Sequence, residues 1–270
     1  MKSKDFAMLS LLAALAVFVW ARDLTWMTAA GDVLPVLASL PVFVWLGAPW
    51  QFTLNAFQLS TRALVLVVAG FVLGLVTELN ILLALSWTGL LWLWLRARLE
   101  TSRQFSLRRL IIFPLLAFPW IMLDLQWLGW TFRLSAAWFV GKLFGMLGFT
   151  VTQNGTNLLV QGLPISVEAA CSGMNTLQSM LIGGSALAFI FLGQQRAYWW
   201  NISALVPIAW LANTARIISL VVAALTFGPE FAQGMFHTWG GWLVLMLMFL
   251  LCWMLFAWQR KAPTAAAPAA

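Results

Sequence analysis

Residues 198–226 read YWWNISALVPIAWLANTARIISLVVAALT, a stretch of twenty-nine residues with one charge, Arg216. An α-helix needs about 20 predominantly apolar residues to cross a hydrocarbon core of about 30 Å, so this run alone argues for a membrane span. It has company. Further apolar runs occupy 6–20, 33–50, 63–77, 79–95, 110–128, 171–192 and 238–258. Across the chain 63% of residues are hydrophobic and 9% are charged, against about 25% charged in soluble proteins. The expected fold is all-α: a polytopic transmembrane helical bundle of about eight spans. The 18 tryptophans and 20 phenylalanines suit it, because amphipathic indoles gather at membrane interfaces. The net charge of +7 does not signal nucleic-acid binding. Its basic residues lie between the apolar runs and at the chain ends, where they orient helices.

The densest basic segment is Arg96, Arg98, Arg103, Arg108 and Arg109, with Glu100 as its only acid. The positive-inside rule puts it in the cytoplasm. Counting back through four spans places Lys2 and Lys4 there too. The first run reads as a retained span, not a cleaved signal, since Arg22-Asp23 follows directly and no small-x-small site is evident. Residues 130–149 are apolar but carry Arg133 and Lys142. They read as a helix in the outer interface, with a full crossing as the rival. Residues 149–167 form the one β-like stretch. Asn154-Gly155 makes a hairpin signal, and Gly162-Leu163-Pro164 a second turn. This small extracytoplasmic hairpin belongs outside the bilayer core, where strand edges can be hydrated. The organisation expected is N-terminal spans over 1–129, the interfacial helix and hairpin over 130–170, a second set of spans over 171–258, and a disordered cytoplasmic Ala/Pro-rich tail over 259–270.

Three polar motifs interrupt the apolar pattern: Glu168-Ala169-Ala170-Cys171-Ser172-Gly173-Met174-Asn175, Asn213-Thr214-Ala215-Arg216-Ile217, and His237-Thr238-Trp239-Gly240-Gly241. After five spans the chain is outside, so Cys171 begins its run there. The run from residue 198 starts inside, and Arg216 is eighteen residues along it, about 27 Å at 1.5 Å per residue. His237, the single histidine, is expected in the outer loop before the last run. Cys171, Arg216 and His237 thus share one face. A crossing at 130–149 would move all three to the inner face and put Arg196 and Arg260-Lys261 outside, against the charge rule.

The chemistry available to such a set is nucleophilic. A thiol attacks a carbonyl as thiolate; a free cysteine titrates near about 8.5, and nearby cations or a helix N-terminus lower that. The start of the helix after Cys171 would offer backbone N–H groups to an oxyanion. His237 is the natural proton carrier. Arginine is a poor general base and a good anion holder, so Arg216 would stabilise a thiolate, an oxyanion or a substrate carboxylate. Glu168, Asn175 and Asn213 are candidates to orient these groups. Taken singly, each residue has a plainer reading: an inert cysteine, a solvated loop histidine, an arginine reaching for headgroups. Arg216, beside Asn213 and with no acid close in sequence, is the least ordinary of them. One histidine and two distant cysteines do not make a metal site, and no cofactor is implied. Cys252 is expected to pack, and a bridge to Cys171 would need their Cα atoms within about 7 Å although the topology sets them at opposite ends.

These three motifs, in this order over residues 148–241, resemble the exosortase/archaeosortase family. The resemblance implies a membrane cysteine peptidase or transpeptidase with Cys171, Arg216 and His237 as its catalytic residues. It implies substrates that are exported proteins with a C-terminal sorting signal of the PEP-CTERM kind: a short motif, a transmembrane helix and a basic tail. It also implies a cell inner membrane location, with both termini cytoplasmic and the site extracytoplasmic. The partners expected are those substrates and membrane lipids. The competing reading is a non-enzymatic transporter or assembly scaffold, which would more often show repeated halves or paired broken helices; the sequence has neither.

Overall fold

The computed structural model describes residues 3–27, 33–53, 60–166 and 173–261. The chain divides into two compact units, Met1–Gln126 and Trp127–Ala270.

In the first unit, helices α1 (Ser3–Arg22), α2 (Val33–Gly47), α3 (Thr61–Thr77) and α4 (Asn80–Arg98) follow the apolar runs. α1 and α4 are antiparallel. Near one end Asp5 pairs with Arg98 at 2.6 Å, both side chains largely buried; further along, the Trp87 indole donates to the Leu12 carbonyl at 2.7 Å. α3 ends where Glu78 adopts a left-handed φ of 59°, which turns the chain directly into α4.

The start of α4 is capped from a distance. The Asp124 carboxylate accepts from the Asn80 and Ile81 backbone N–H groups at 3.2 and 2.6 Å and from Asn80 Nδ2 at 2.8 Å. It thereby satisfies two of the donors a helix start leaves open and sits at the positive end of the helix dipole. Asp124→Ala should lower stability by about 1–2 kcal/mol, which for this size corresponds to roughly 2–4 °C in melting temperature per kcal/mol. Thermal unfolding in detergent measures it, and Asp124→Asn should fall between the two.

The run 110–128, expected as a fifth continuous span, is broken: α5 (Thr101–Leu110) ends where it begins, and α6 (Ile112–Leu116) and α7 (Trp120–Asp124) divide most of the rest. Proline is the reason. Pro114 and Pro119 lack the N–H that continues a helix. Pro119 leaves the Leu115 carbonyl without its usual donor, and the Trp120 indole supplies one at 2.9 Å. The Trp20 indole donates to the Ala117 carbonyl at 2.8 Å, so indoles serve where the backbone ladder stops; the Phe113 carbonyl keeps the Ala117 N–H at 2.9 Å and takes Ser39 Oγ as a second donor at 2.6 Å.

The span count of eight is not confirmed. Among the described residues five helical segments are long and apolar enough to cross a bilayer: Asp5–Arg22, Asn80–Arg98, Met174–Leu192, Ala197–Phe227 and Trp239–Arg260. Val33–Gly47 and Thr61–Thr77 are apolar but shorter. The chain is a multi-pass, all-α membrane protein with a small sheet.

The second unit contains α8 (Gln126–Met146), strands β1 (Val151–Asn154), β2 (Asn157–Val160) and β3 (Leu163–Ser166), and helices α9 (Met174–Leu192), α10 (Ala197–Phe227), α11 (Pro229–Gln233) and α12 (Met235–Lys261). The strands form an antiparallel sheet in the order β1-β2-β3. Its first turn is Gly155-Thr156, since Asn154 pairs with Asn157; the hairpin is therefore shifted by one residue from the Asn-Gly turn read in the sequence. Burial sets the register: Leu158 and Val160 face inward against Ala136, Ala137, Val140, Phe144, Ile217 and Val221, and a slip of one would expose both.

α8 lies lengthwise on α10 and points the same way. Ser135 accepts from the Trp210 indole at 2.9 Å, and further along Val140 and Phe144 share a core with Ile217 and Val221. At 31 residues α10 is about 46 Å long, well beyond a hydrocarbon core of about 30 Å. Its segment past Arg216 is the part on which the sheet packs.

Candidate active site

Three helices of the second unit set the register of the motifs. α9 and α10 are antiparallel neighbours, with Gly184 against Leu205. α12 returns along α10. At one end Asn201 Nδ2 donates to Gln259 Oε1 at 2.9 Å. Fifteen residues on along α10 (216 − 201) and eighteen back along α12 (259 − 241), Arg216 meets Gly241. The motifs therefore gather at the far end of this three-helix group.

Gly173 opens α9. It is buried, with φ 78° and ψ −1° at the N-cap, a left-handed conformation that glycine adopts without strain. A Cβ at this position would also lie only 3.0 Å from Asn213 Cγ and 3.1 Å from Asn213 Nδ2. Backbone and packing thus both require glycine, and the first motif is pressed directly on the second. Asn213 is fully buried and Thr214 nearly so. The Thr214 hydroxyl donates to the Trp210 carbonyl at 2.8 Å.

Arg216 is one turn further along α10 and partly buried, with its Nε wholly enclosed. A Cβ on Gly241 would stand 3.0 Å from Arg216 Nε, 3.1 Å from Cζ and 3.4 Å from one terminal nitrogen. The guanidinium therefore rests on bare α12 backbone, a seat that any side chain at 241 would occupy. The buried residues of α12 recur at Gly240, Val244, Cys252 and Phe256. Position 237 is one turn before 241 and falls on the same helical stripe.

Of the three residues singled out in the sequence, Arg216 is placed with its surroundings. Position 237 is placed by its backbone: it is the third residue of α12, not a loop residue, because the expected loop 227–236 folds into α11, with Pro229 as its first residue, and a single residue, Gly234, separates α11 from α12. Cys171 and Glu168 lie outside the described residues, as does the tail from 262; Gly173, two residues after Cys171, is described. Asn175 is the second residue of α9. Cys252 is a free, buried thiol on α12, as packing would require. Among the described residues no three His, Cys, Asp or Glu side chains group as metal ligands do.

What sequence reasoning did not assign is the part played by Gly173 and Gly241 as contact surfaces for Asn213 and Arg216. The signal was available: a Gly-Gly pair in a helix interior costs about 1 kcal/mol per residue relative to alanine, and one inside an apolar run that also faces a lone arginine needs a reason such as close approach.

No curated protein and no solved structure matches the chain. The family model described as transmembrane exosortase matches residues 2–254, which takes in all three motifs and nearly all of both units. With a match of that extent, the chain belongs to the transmembrane exosortase family.

Proposed function

We propose that the chain is a membrane cysteine peptidase or transpeptidase that cuts C-terminal sorting signals from exported proteins at the extracytoplasmic face. Cys171 is the nucleophile, His237 the proton carrier and Arg216 the anion holder. The observation that carries this reading is the packing of the three motifs on one another: Gly173 on Asn213 and Arg216 on Gly241. The covalent chain keeps Cys171 within about 7 Å of Gly173, and position 237 is one helical turn from the backbone under the Arg216 guanidinium. Membership of the exosortase family and the five membrane-spanning helices agree with it.

In this mechanism the Cys171 thiol gives its proton to His237, and the thiolate attacks the scissile carbonyl. The negative charge that forms on the carbonyl oxygen is met by Arg216 and by the first backbone N–H groups of α9. Collapse of the tetrahedral species breaks the C–N bond. The leaving amine takes the proton from His237, and the substrate's carbonyl carbon stays on Cys171 as a thioester. Water or an amine on a surface acceptor then attacks the thioester and frees the thiol. Arg216 acts through a fixed planar cation; a seat on bare backbone keeps that plane in one orientation, which is what preorganised charge stabilisation needs.

The test is to trap the thioester. Membranes given a tagged substrate and quenched in acid should contain a covalent enzyme–substrate adduct on Cys171 that neutral hydroxylamine releases. Cleaved product with no thiol-linked adduct, in the unaltered enzyme and in a slowed His237→Gln variant alike, would overturn the cysteine mechanism.

A further inference from the structure

The sheet ends in a strand whose outer edge leads toward Cys171. Gln161 N–H donates to the Thr150 carbonyl at 2.9 Å, toward β1. Backbone groups along an antiparallel strand point alternately to the two sides. The odd-numbered residues of β2 therefore bond to β1, and the even-numbered Leu158 and Val160 bond to β3. Their partners are Ile165 and Leu163. Pro164 and Ser166 consequently turn their backbone groups to the outer side of β3, where no described strand pairs. Pro164, which has no N–H, sits where a proline costs no ladder hydrogen bond. What the edge offers is two carbonyls, at 164 and 166, and one N–H, at 166.

Two further observations connect this edge to the site. β3 is anchored beside Arg216, because Ile165 packs on the core that contains Ile217. And Ser166 is five residues before Cys171, so the sulfur's residue is within about 18 Å of it along the chain.

From these we propose that β3 is the docking edge for the substrate polypeptide: the extended segment next to the scissile bond adds as a fourth strand, pairing its backbone with Ser166 and the Pro164 carbonyl. The inference rests on the peptidase reading and adds to it where and how the substrate backbone is held. Strand addition supplies affinity through main-chain hydrogen bonds and leaves alternate side chains free to be read by neighbouring pockets. It also holds the peptide extended, with the paired residue no more than about five or six residues from the bond that is cut.

The experiment uses the full-length protein in its native membrane, with a co-expressed exported protein ending in a short motif, one apolar helix and a basic tail. Ser166→Pro removes the edge N–H and no bond to β2. It should reduce signal release at least tenfold. Gln153→Pro makes the same change on the outer edge of β1, since Gln153 also faces away from β2, and should leave release unchanged. In a Cys171→Ala, Cys252→Ala background, Pro164→Cys should form disulfides with single cysteines at every second position of the substrate segment. Normal release by Ser166→Pro beside an inactive Cys171→Ala enzyme would sink the docking strand and leave the peptidase intact. Continued release by Cys171→Ala would sink both. If both proline variants lose release through damage to the sheet, the disulfide pattern decides: alternation supports the strand, whereas crosslinks at every position, none at all, or a Pro164→Cys homodimer overturn it.

Discussion

Cys171→Ala is expected to abolish release of the sorting signal, a loss of at least about a thousandfold. The magnitude follows from the kind of step removed. Without sulfur there is no thioester, and the remaining groups can only polarise the carbonyl and hold the peptide. His237→Gln should cost about 10²–10⁴-fold, the range for a positioned acid–base group, since the thiol keeps some intrinsic nucleophilicity. Cys171→Ala combined with His237→Gln should lose no more than Cys171→Ala alone, because a nucleophile and its base act as one unit. Additive losses would mean that the two residues serve separate steps. The measurement is the rate at which a pulse-labelled, tagged substrate is shortened, at matched enzyme levels in the membrane. Those levels should hold, since Cys171 precedes α9, whose first residue is Met174. A Cys171→Ala protein that still shortened the substrate would leave the site without a nucleophile.

The sequence reading succeeded where a signal was local and failed where it depended on partners. Membrane class follows from apolar length, which one run already carries. The hairpin strands followed from composition, but the turn slipped by one residue, because inward-facing Leu158 and Val160 fix the register and the Asn-Gly pair does not. The fifth run looked continuous because hydropathy does not register backbone hydrogen bonds. Pro114 and Pro119 break it, and the indoles of Trp120 and Trp20 satisfy the Leu115 and Ala117 carbonyls there. Asp124, within that run, is the cap of α4, a role that only tertiary structure could give it. At the site, the motifs were recognisable by residue type. Their contacts were not, because the atoms that decide them are absent ones, the side chains that Gly173 and Gly241 do not have.

That absence yields the second large effect. Gly241→Ala puts a methyl group 3.0 Å from Arg216 Nε and 3.1 Å from Cζ, tighter than ordinary contact. The guanidinium is the far end of a flexible chain and can yield, so the protein should fold while the cation moves by a few tenths of an ångström. Catalysis is sensitive to such movement: a displacement of about 1 Å can cost about 100-fold. Gly241→Ala should therefore lose roughly tenfold in release rate, and Gly241→Leu, which fills the whole seat, at least about 100-fold. Stability should move the opposite way for the alanine variant, by about 1 kcal/mol in its favour, because alanine is the better residue inside a helix. Gly240→Ala meets the Phe236 ring instead and serves as the control, gaining helix propensity without touching Arg216. Release assays and melting curves on the three variants test the claim together. A Gly241→Ala protein that is both more stable and fully active would show that the guanidinium does its work elsewhere than on α12. One that is slower, with Gly240→Ala unimpaired, would tie the rate to the position of a single cation.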